Sequence, residues 1–303
     1  MRLPLSLTAS LMLVAPLTLI SSFTSIQVAT AQTASDHTHD HNHAHDYEHF
    51  YIGVDGLEVL NRGPYTGLEN PNYNRLTFLF SHVEEDPTTN HFHGIGAYSY
   101  SGPVDNPVIN STNTNNRIPE PYTELPPITL QPGTGIYADR LVSMPTAEEY
   151  SNFEIKPVAS LQNNDEPGAQ YLYNSSDGRW QGSLGDAAIA LELVSITEGL
   201  NIANEQGLNI LTQVGDTYTI GSGDDFTFTP TFWTDAAAPT GTYSAAFQLA
   251  DLGNANNGST FEKSGTFNID FQVASVPEPS SFLGLGVFTL MAFIGKSRLK
   301  RST

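Results

Sequence analysis

Short alternating runs rich in aromatic and β-branched residues recur along this 303-residue chain, each bounded by Gly, Pro, Asn or Asp. Alternation with a period of two suits strands, and frequent punctuation keeps those strands short. Strands are expected at 49–54, Leu76–His82, 91–100, Ala188–Ile196, 216–220, 225–231, 241–249 and 264–273. Only 147–153 and 202–211 carry a helical turn pattern. Residues 102–135 are dense in Pro, Asn and Thr and read as one long irregular connection, either draped over the fold or mobile. The prolines there cannot donate to a central ladder. The chain has no cysteine, so no disulfide can staple it and it must bury a core of its own. These features predict an all-β fold, with a β-sandwich as its architecture.

The segment Thr240-Gly241-Thr242-Tyr243-Ser244-Ala245-Ala246-Phe247-Gln248-Leu249 resembles the penultimate strand of bacterial surface Ig-like modules. The sandwich is accordingly expected to be Ig-like or jelly-roll-like.

The two ends carry their own signals. Arg2 is followed by an apolar stretch and then by Val28-Ala29-Thr30-Ala31-Gln32, the pattern of a secretory signal peptide cleaved after Ala31. At the other end, Val276-Pro277-Glu278-Pro279 precedes an apolar segment, 280–295, and a basic terminus with Lys296, Arg298, Lys300 and Arg301. That segment is short for a membrane span, and the basic residues after it favour a cytoplasmic tail. Together these residues resemble the PEP-CTERM sorting signal of Gram-negative bacteria. The resemblance implies a short transmembrane sorting helix and cutting by an exosortase near residues 277–279. The product would be retained in the periplasm or outer envelope, or released. The chain therefore divides into a signal peptide (1–31), a His-rich tail expected to be disordered without metal (32–49), a β-rich region (50–160), a β-sandwich region (161–275) and the sorting signal (276–303).

Charge narrows the partners. Between residues 32 and 295, seven basic residues stand against 32 acidic ones. Such a surface repels nucleic acid and anionic lipid and attracts cations, so no nucleic-acid partner is expected.

All nine histidines lie between His37 and His93. His37, His39, His41, His43 and His45 alternate, and His49 follows. Imidazole is the commonest metal-ligating side chain. On a strand the five alternating rings share a side; on a helix His37, His41, His45 and His49 share a face instead. Either arrangement offers two to four nitrogens to one ion, with Asp36, Asp40 and Asp46 as oxygen donors. Binding must order such a tail, which lowers affinity and selectivity, and nickel and copper(II) should bind in vitro beside zinc.

His82, His91 and His93 form a second candidate. His91 and His93, two apart on a strand, project to one face. If Leu76–His82 and 91–100 form a hairpin, His82 ends one strand where His91 begins the other. Three imidazoles with an open fourth position suit zinc. Glu84, Glu85 and Asp86 in the connecting loop could complete or orient the set. Phe78 and Phe80 share the parity of His82, so a half-buried histidine at a core edge is the alternative.

For catalysis the sequence offers no cysteine nucleophile, no G-x-S-x-G elbow, no H-E-x-x-H and no phosphate loop. The chain is expected not to be an enzyme, with a His₃ zinc hydrolase the least favoured option. The signal peptide, the His-rich segment, the His91-Phe92-His93-Gly94 strand and the V-P-E-P tail together resemble a cyanobacterial family of PEP-CTERM proteins repressed by the zinc-uptake regulator. The resemblance implies capture, storage or buffering of zinc outside the inner membrane under zinc limitation. Signal peptidase and exosortase would be processing partners, and a zinc importer or envelope polysaccharide further ones. A structural or adhesive surface protein is the competing expectation.

Overall fold

The computed structural model describes residues 49–253 and 261–274. The signal peptide, the alternating histidines His37 to His45 and the sorting signal lie outside the described residues. Strands dominate, as expected for an all-β chain. Among the described residues no helix is long and apolar enough to cross a membrane.

Three strands carry the region of interest: β1 (Phe50–Val54), β2 (Leu76–His82) and β3 (His91–Gly94). β2 runs antiparallel between β1 and β3, and Ile155–Pro157 adds a parallel edge beyond β1. Every residue of β1 and β2 is buried, so both faces of this sheet are covered. Parity assigns them. Phe50, Ile52, Val54, Leu76, Phe78 and Phe80 enter the main core, whereas Tyr51, Leu79 and Phe92 join a second cluster with Val158, Leu161 and Trp180. Helix α1 (Pro167–Tyr173) seals that second face with Ala169 and Leu172.

A larger sheet orders Thr217–Ser222, Ala188–Ile196, Gly241–Asp251, Phe267–Val273 and Arg117–Ile118, with Ile128–Thr129 also pairing to Phe267–Val273. A further sheet orders Asn209–Ile210, Asn201–Ala203, Thr231–Asp235, Arg140–Val142 and Gln131–Pro132. Aromatic rings join all three in one core. Phe78 stacks on Phe267 at 4.2 Å, and Phe232 lies 4.6 Å from Phe271 and 5.3 Å from Phe153.

The structure departs from the sequence reading at helix α1, which lies outside both segments read as helical, and in four further places. β3 stops at Gly94 rather than residue 100. There the Ile95 and Gly96 amides both donate to the Phe78 carbonyl, which lifts the chain out of the ladder. A Cβ on Gly96 would lie 2.8 Å from Phe267 Cδ1, so only glycine allows this approach. The alternating segment 225–231 pairs only through Phe228, opposite Ile155, because Pro230 ends donation and the strand begins at Thr231. The helical reading of 202–211 is overturned. Asn204 Oδ1 accepts from the Gln206 and Leu208 amides, Gly207 takes φ +76°, and the segment becomes a hairpin of Asn201–Ala203 with Asn209–Ile210. Residues 147–153 form a turn with Tyr150 at φ +66° rather than a helix. The long connection 102–135 is draped over the fold, and its Arg117–Ile118 and Ile128–Thr129 segments pair with Phe267–Val273.

Candidate metal centre

The hairpin of β2 and β3 places His82 directly opposite His91, and Phe80 opposite His93. Opposed residues share a face of the sheet, so all three imidazoles lie on the face of Phe78 and Phe80, at the edge of the main core. Their rings converge. The centroid distances are 4.3 Å for His82 with His93, 4.8 Å for His91 with His93 and 5.3 Å for His82 with His91. His82 is buried, while His91 and His93 are half-buried.

The loop between the strands does not supply the acid. Asp86 is exposed and accepts from the Thr88 hydroxyl and amide, which together hold its carboxyl below the usual range. Glu85 is exposed as well, and the Glu84 amide is fixed by Asn90 Oδ1 at 2.8 Å. The carboxylate at the centre comes instead from Glu120, only 1% exposed, in the Pro-rich connection. The pairing of Ile118 with Ile269 and the turn Pro121–Thr123 fix it on either side.

Glu120 accepts four hydrogen bonds. His82 Nε2 lies 2.6 Å from Oε2, and His93 Nδ1 lies 2.7 Å from Oε1. The Tyr150 hydroxyl donates to Oε2 at 3.0 Å, and the Asn115 amide donates to Oε1. Burial alone pushes the Glu120 carboxyl up, but the donors His82, His93 and Asn115 outweigh it and hold the group at about 2. Glu120 is therefore a carboxylate at neutral pH, and Tyr150 stays a phenol, its pKa raised by burial and by the Glu120 charge. Tyr122, whose hydroxyl lies 3.3 Å from His82 Nε2, is pushed up to about 12 by burial and by Glu120 and Glu149.

His82, His93 and Glu120 each present one donor atom, all within 4.8 Å of one another. Two imidazole nitrogens and one carboxylate oxygen are a recognised zinc set. In a tetrahedral site with bonds of about 2.0–2.1 Å, neighbouring ligand atoms stand roughly 3.3 Å apart. The N–H···O contacts at 2.6 and 2.7 Å are proton-bridged versions of that arrangement. Exchanging proton for metal requires each pair to open by well under an ångström. The donor set thus fits a divalent ion, and an open cleft of about 540 Å³ lined by His93, Asn115 and Tyr122 lies beside it.

Of the other histidines named from sequence, His49 stands apart. Its Nδ1 accepts from Asn152 at 3.0 Å and its Nε2 lies 3.1 Å from Glu154. Both ring nitrogens are thus engaged where β1 begins, the expected state of a histidine that belongs to the fold rather than to a tail. Glu120 was not among the residues singled out from sequence. Its only local signal is its place between Pro119 and Pro121, two residues that stiffen the backbone around an acid.

No family model matches the chain, and no curated protein or solved structure matches it.

Proposed function

We propose that this chain is a zinc-binding protein of the cell envelope that captures or buffers scarce zinc. The observation that carries the reading is the buried Glu120 carboxylate, held between His82 and His93 with His91 beside them. Two imidazole nitrogens and a buried carboxylate oxygen brought together at a hairpin end are a donor set that a divalent cation can use. The strongly acidic surface concentrates cations around it. The alternating histidines His37, His39, His41, His43 and His45 would add a looser class of sites, open also to nickel and copper(II). The envelope location rests on the resemblance of the two ends to a signal peptide and a sorting signal, with signal peptidase and exosortase as processing partners. We further read the sheet that carries Phe232 and the larger sheet as the two layers of a β-sandwich, a reading supported by the contacts of Phe232 with Phe247 and Phe271.

Isothermal titration of the full chain with zinc tests the reading. Two classes of site are expected. Changing the five alternating histidines to Asn should leave one class, and His93→Ala in that background should remove it. Absence of heat at about 10–100 micromolar zinc, where a micromolar site would saturate, would overturn the proposal. Zinc heat that survives both changes would assign the ion to the acidic surface instead.

A further inference from the structure

His91 and His93 turn one ring nitrogen each toward an oxygen and the other toward each other. His91 Nδ1 lies 2.9 Å from the Thr89 carbonyl oxygen, which can only accept, so Nδ1 carries the proton. His93 Nδ1 lies 2.7 Å from a Glu120 carboxylate oxygen, which also only accepts, so this Nδ1 carries the proton too. A neutral imidazole has one N–H. Both Nε2 atoms are then bare lone pairs, and they face each other at 3.1 Å. Two ring nitrogens at that distance are held together by a cation between them, either a proton shared across the pair or a metal ion. The spacing is close to the roughly 3.3 Å edge of a tetrahedral zinc site. Each ring is also oriented from behind by an oxygen acceptor, the arrangement by which proteins set a metal-ligating histidine.

The geometry points to a second cation position between His91 Nε2 and His93 Nε2, through which a zinc ion passes on its way to the inner set of His82, His93 and Glu120. This rests on the zinc-binding reading and specifies its route. The outer position has two protein nitrogens and half-exposed rings, so water completes its shell and it holds an ion weakly. The inner position has three protein donors around a buried carboxylate and holds it longer. His93 makes the two positions mutually exclusive. With its proton on Nδ1, Nε2 is free to bind at the outer position. When an ion takes Nδ1 beside Glu120, that proton sits on Nε2 and donates to the His91 Nε2 lone pair across the same 3.1 Å. No proton leaves this ring in the exchange, and one ion at a time occupies the cluster.

The test uses the full chain with His37, His39, His41, His43 and His45 changed to Asn, so that only the cluster reports. Zinc association and dissociation are followed by stopped flow against a fluorescent zinc indicator, and the equilibrium constant is measured by titration. His91→Ala and the more conservative His91→Gln should slow association about tenfold and slow dissociation by a similar factor, since entry and exit share the route. The equilibrium constant should change by less than about threefold and stoichiometry should stay at one. Unchanged association in both variants overturns the route. A weaker equilibrium constant with unchanged association makes His91 a permanent ligand and overturns it equally. Two ions bound at the unaltered cluster refute the exclusion. Should both variants unfold, the pair is structural and the inference falls. If the parent binds no zinc, the failure lies in the functional reading and takes this route with it.

Discussion

Replacing Glu120 by Gln keeps the shape of the side chain and removes its charge. In the metal-free protein the carboxylate offers about four lone-pair directions, and His82, His93, Asn115 and Tyr150 fill them. A glutamine oxygen accepts two of these bonds and its NH₂ group confronts the other two. The Tyr150 hydroxyl can rotate to accept, but His82 must move its proton to Nδ1, whose nearest acid, Glu149, is 4.0 Å away. The two imidazole bonds also lose their charge assistance, and bonds to charged groups contribute roughly 1.5–3 kcal/mol against 0.5–1.5 for neutral ones. The depression of the Glu120 carboxyl to about 2 gives a second route to the size of the effect. At 1.36 kcal/mol per unit from an ordinary carboxylate value, the folded state favours the ionised form by about 3 kcal/mol. Both routes put E120Q about 3 kcal/mol below the parent, or about 6–12 °C in Tm for a domain of this size. Because the folded pKa is depressed, this stabilisation is complete above the ordinary carboxylate range and is lost as pH falls toward about 2. Calorimetry with a chelator present at pH 7, 5 and 3 reads it directly. The gap between parent and variant should hold from pH 7 to 5 and narrow clearly by pH 3. A gap under about 2 °C at pH 7, or one of constant size down to pH 3, would refute the role assigned to the carboxylate.

Three further outcomes follow from the same geometry. Zinc at about a hundredfold excess over Kd should raise stability by roughly 2.7 kcal/mol, or about 5–10 °C by scanning fluorimetry, and E120Q should show little of that gain. Asp55→Ala should cost about 3–5 kcal/mol in chemical denaturation, because a fully buried carboxylate that binds Arg179 and Asn70 is removed and the guanidinium is left unpaired; a cost below about 1 kcal/mol contradicts this. Gly96→Ala should cost about 1–3 kcal/mol, since its Cβ meets Phe267 at 2.8 Å and Phe78 at 3.0 Å, and a variant as stable as the parent would show that the backbone there can shift freely.

The parts of the fold that follow from local rules are readable in the sequence. The i, i+2 spacing of His91 and His93 places both rings on one face, and the aromatic- and apolar-rich segment Leu76–His82 marks a strand, which the fold buries on both sides. Rules of this kind fail where one residue outweighs a good pattern. Thr227 and Thr229 alternate with Phe226 and Phe228 as a strand should, yet Pro230 removes the donor that pairing needs and the strand forms beyond it. The helical spacing in 202–211 yields to Asn204, whose side chain captures two amides and turns the chain. Helix α1 escapes notice because seven residues give less than two full turns of periodicity, and what holds it is burial of Ala169 and Leu172 against the back of β2. The candidate site divides the same way. Its histidines are visible because they come from one hairpin, whereas Glu120 is 38 residues from His82 and is brought in by pairing that no local pattern encodes.

That division bears on what a metal would do to this protein. The three imidazoles are carried by the β2–β3 hairpin, but Glu120 is carried by a connection anchored to Phe267–Val273 in the larger sheet. Without an ion, hydrogen bonds to one carboxylate, supported by Tyr150 from the turn before Ile155–Pro157, add to a join that Asn113 on the Gly94 and Ile95 carbonyls and Phe78 on Phe267 also make. An ion shared by His82, His93 and Glu120 would replace two of those bonds with coordination and tie the hairpin to the larger sheet through a single atom. The chain has no disulfide to make such a tie, and its acidic surface works against compaction by self-repulsion. Cation binding at this point neutralises charge where two elements from distant parts of the sequence meet. Under the proposed function, zinc capture and local stability would be one equilibrium, and loading would show as the firmness of the connection that carries Glu120.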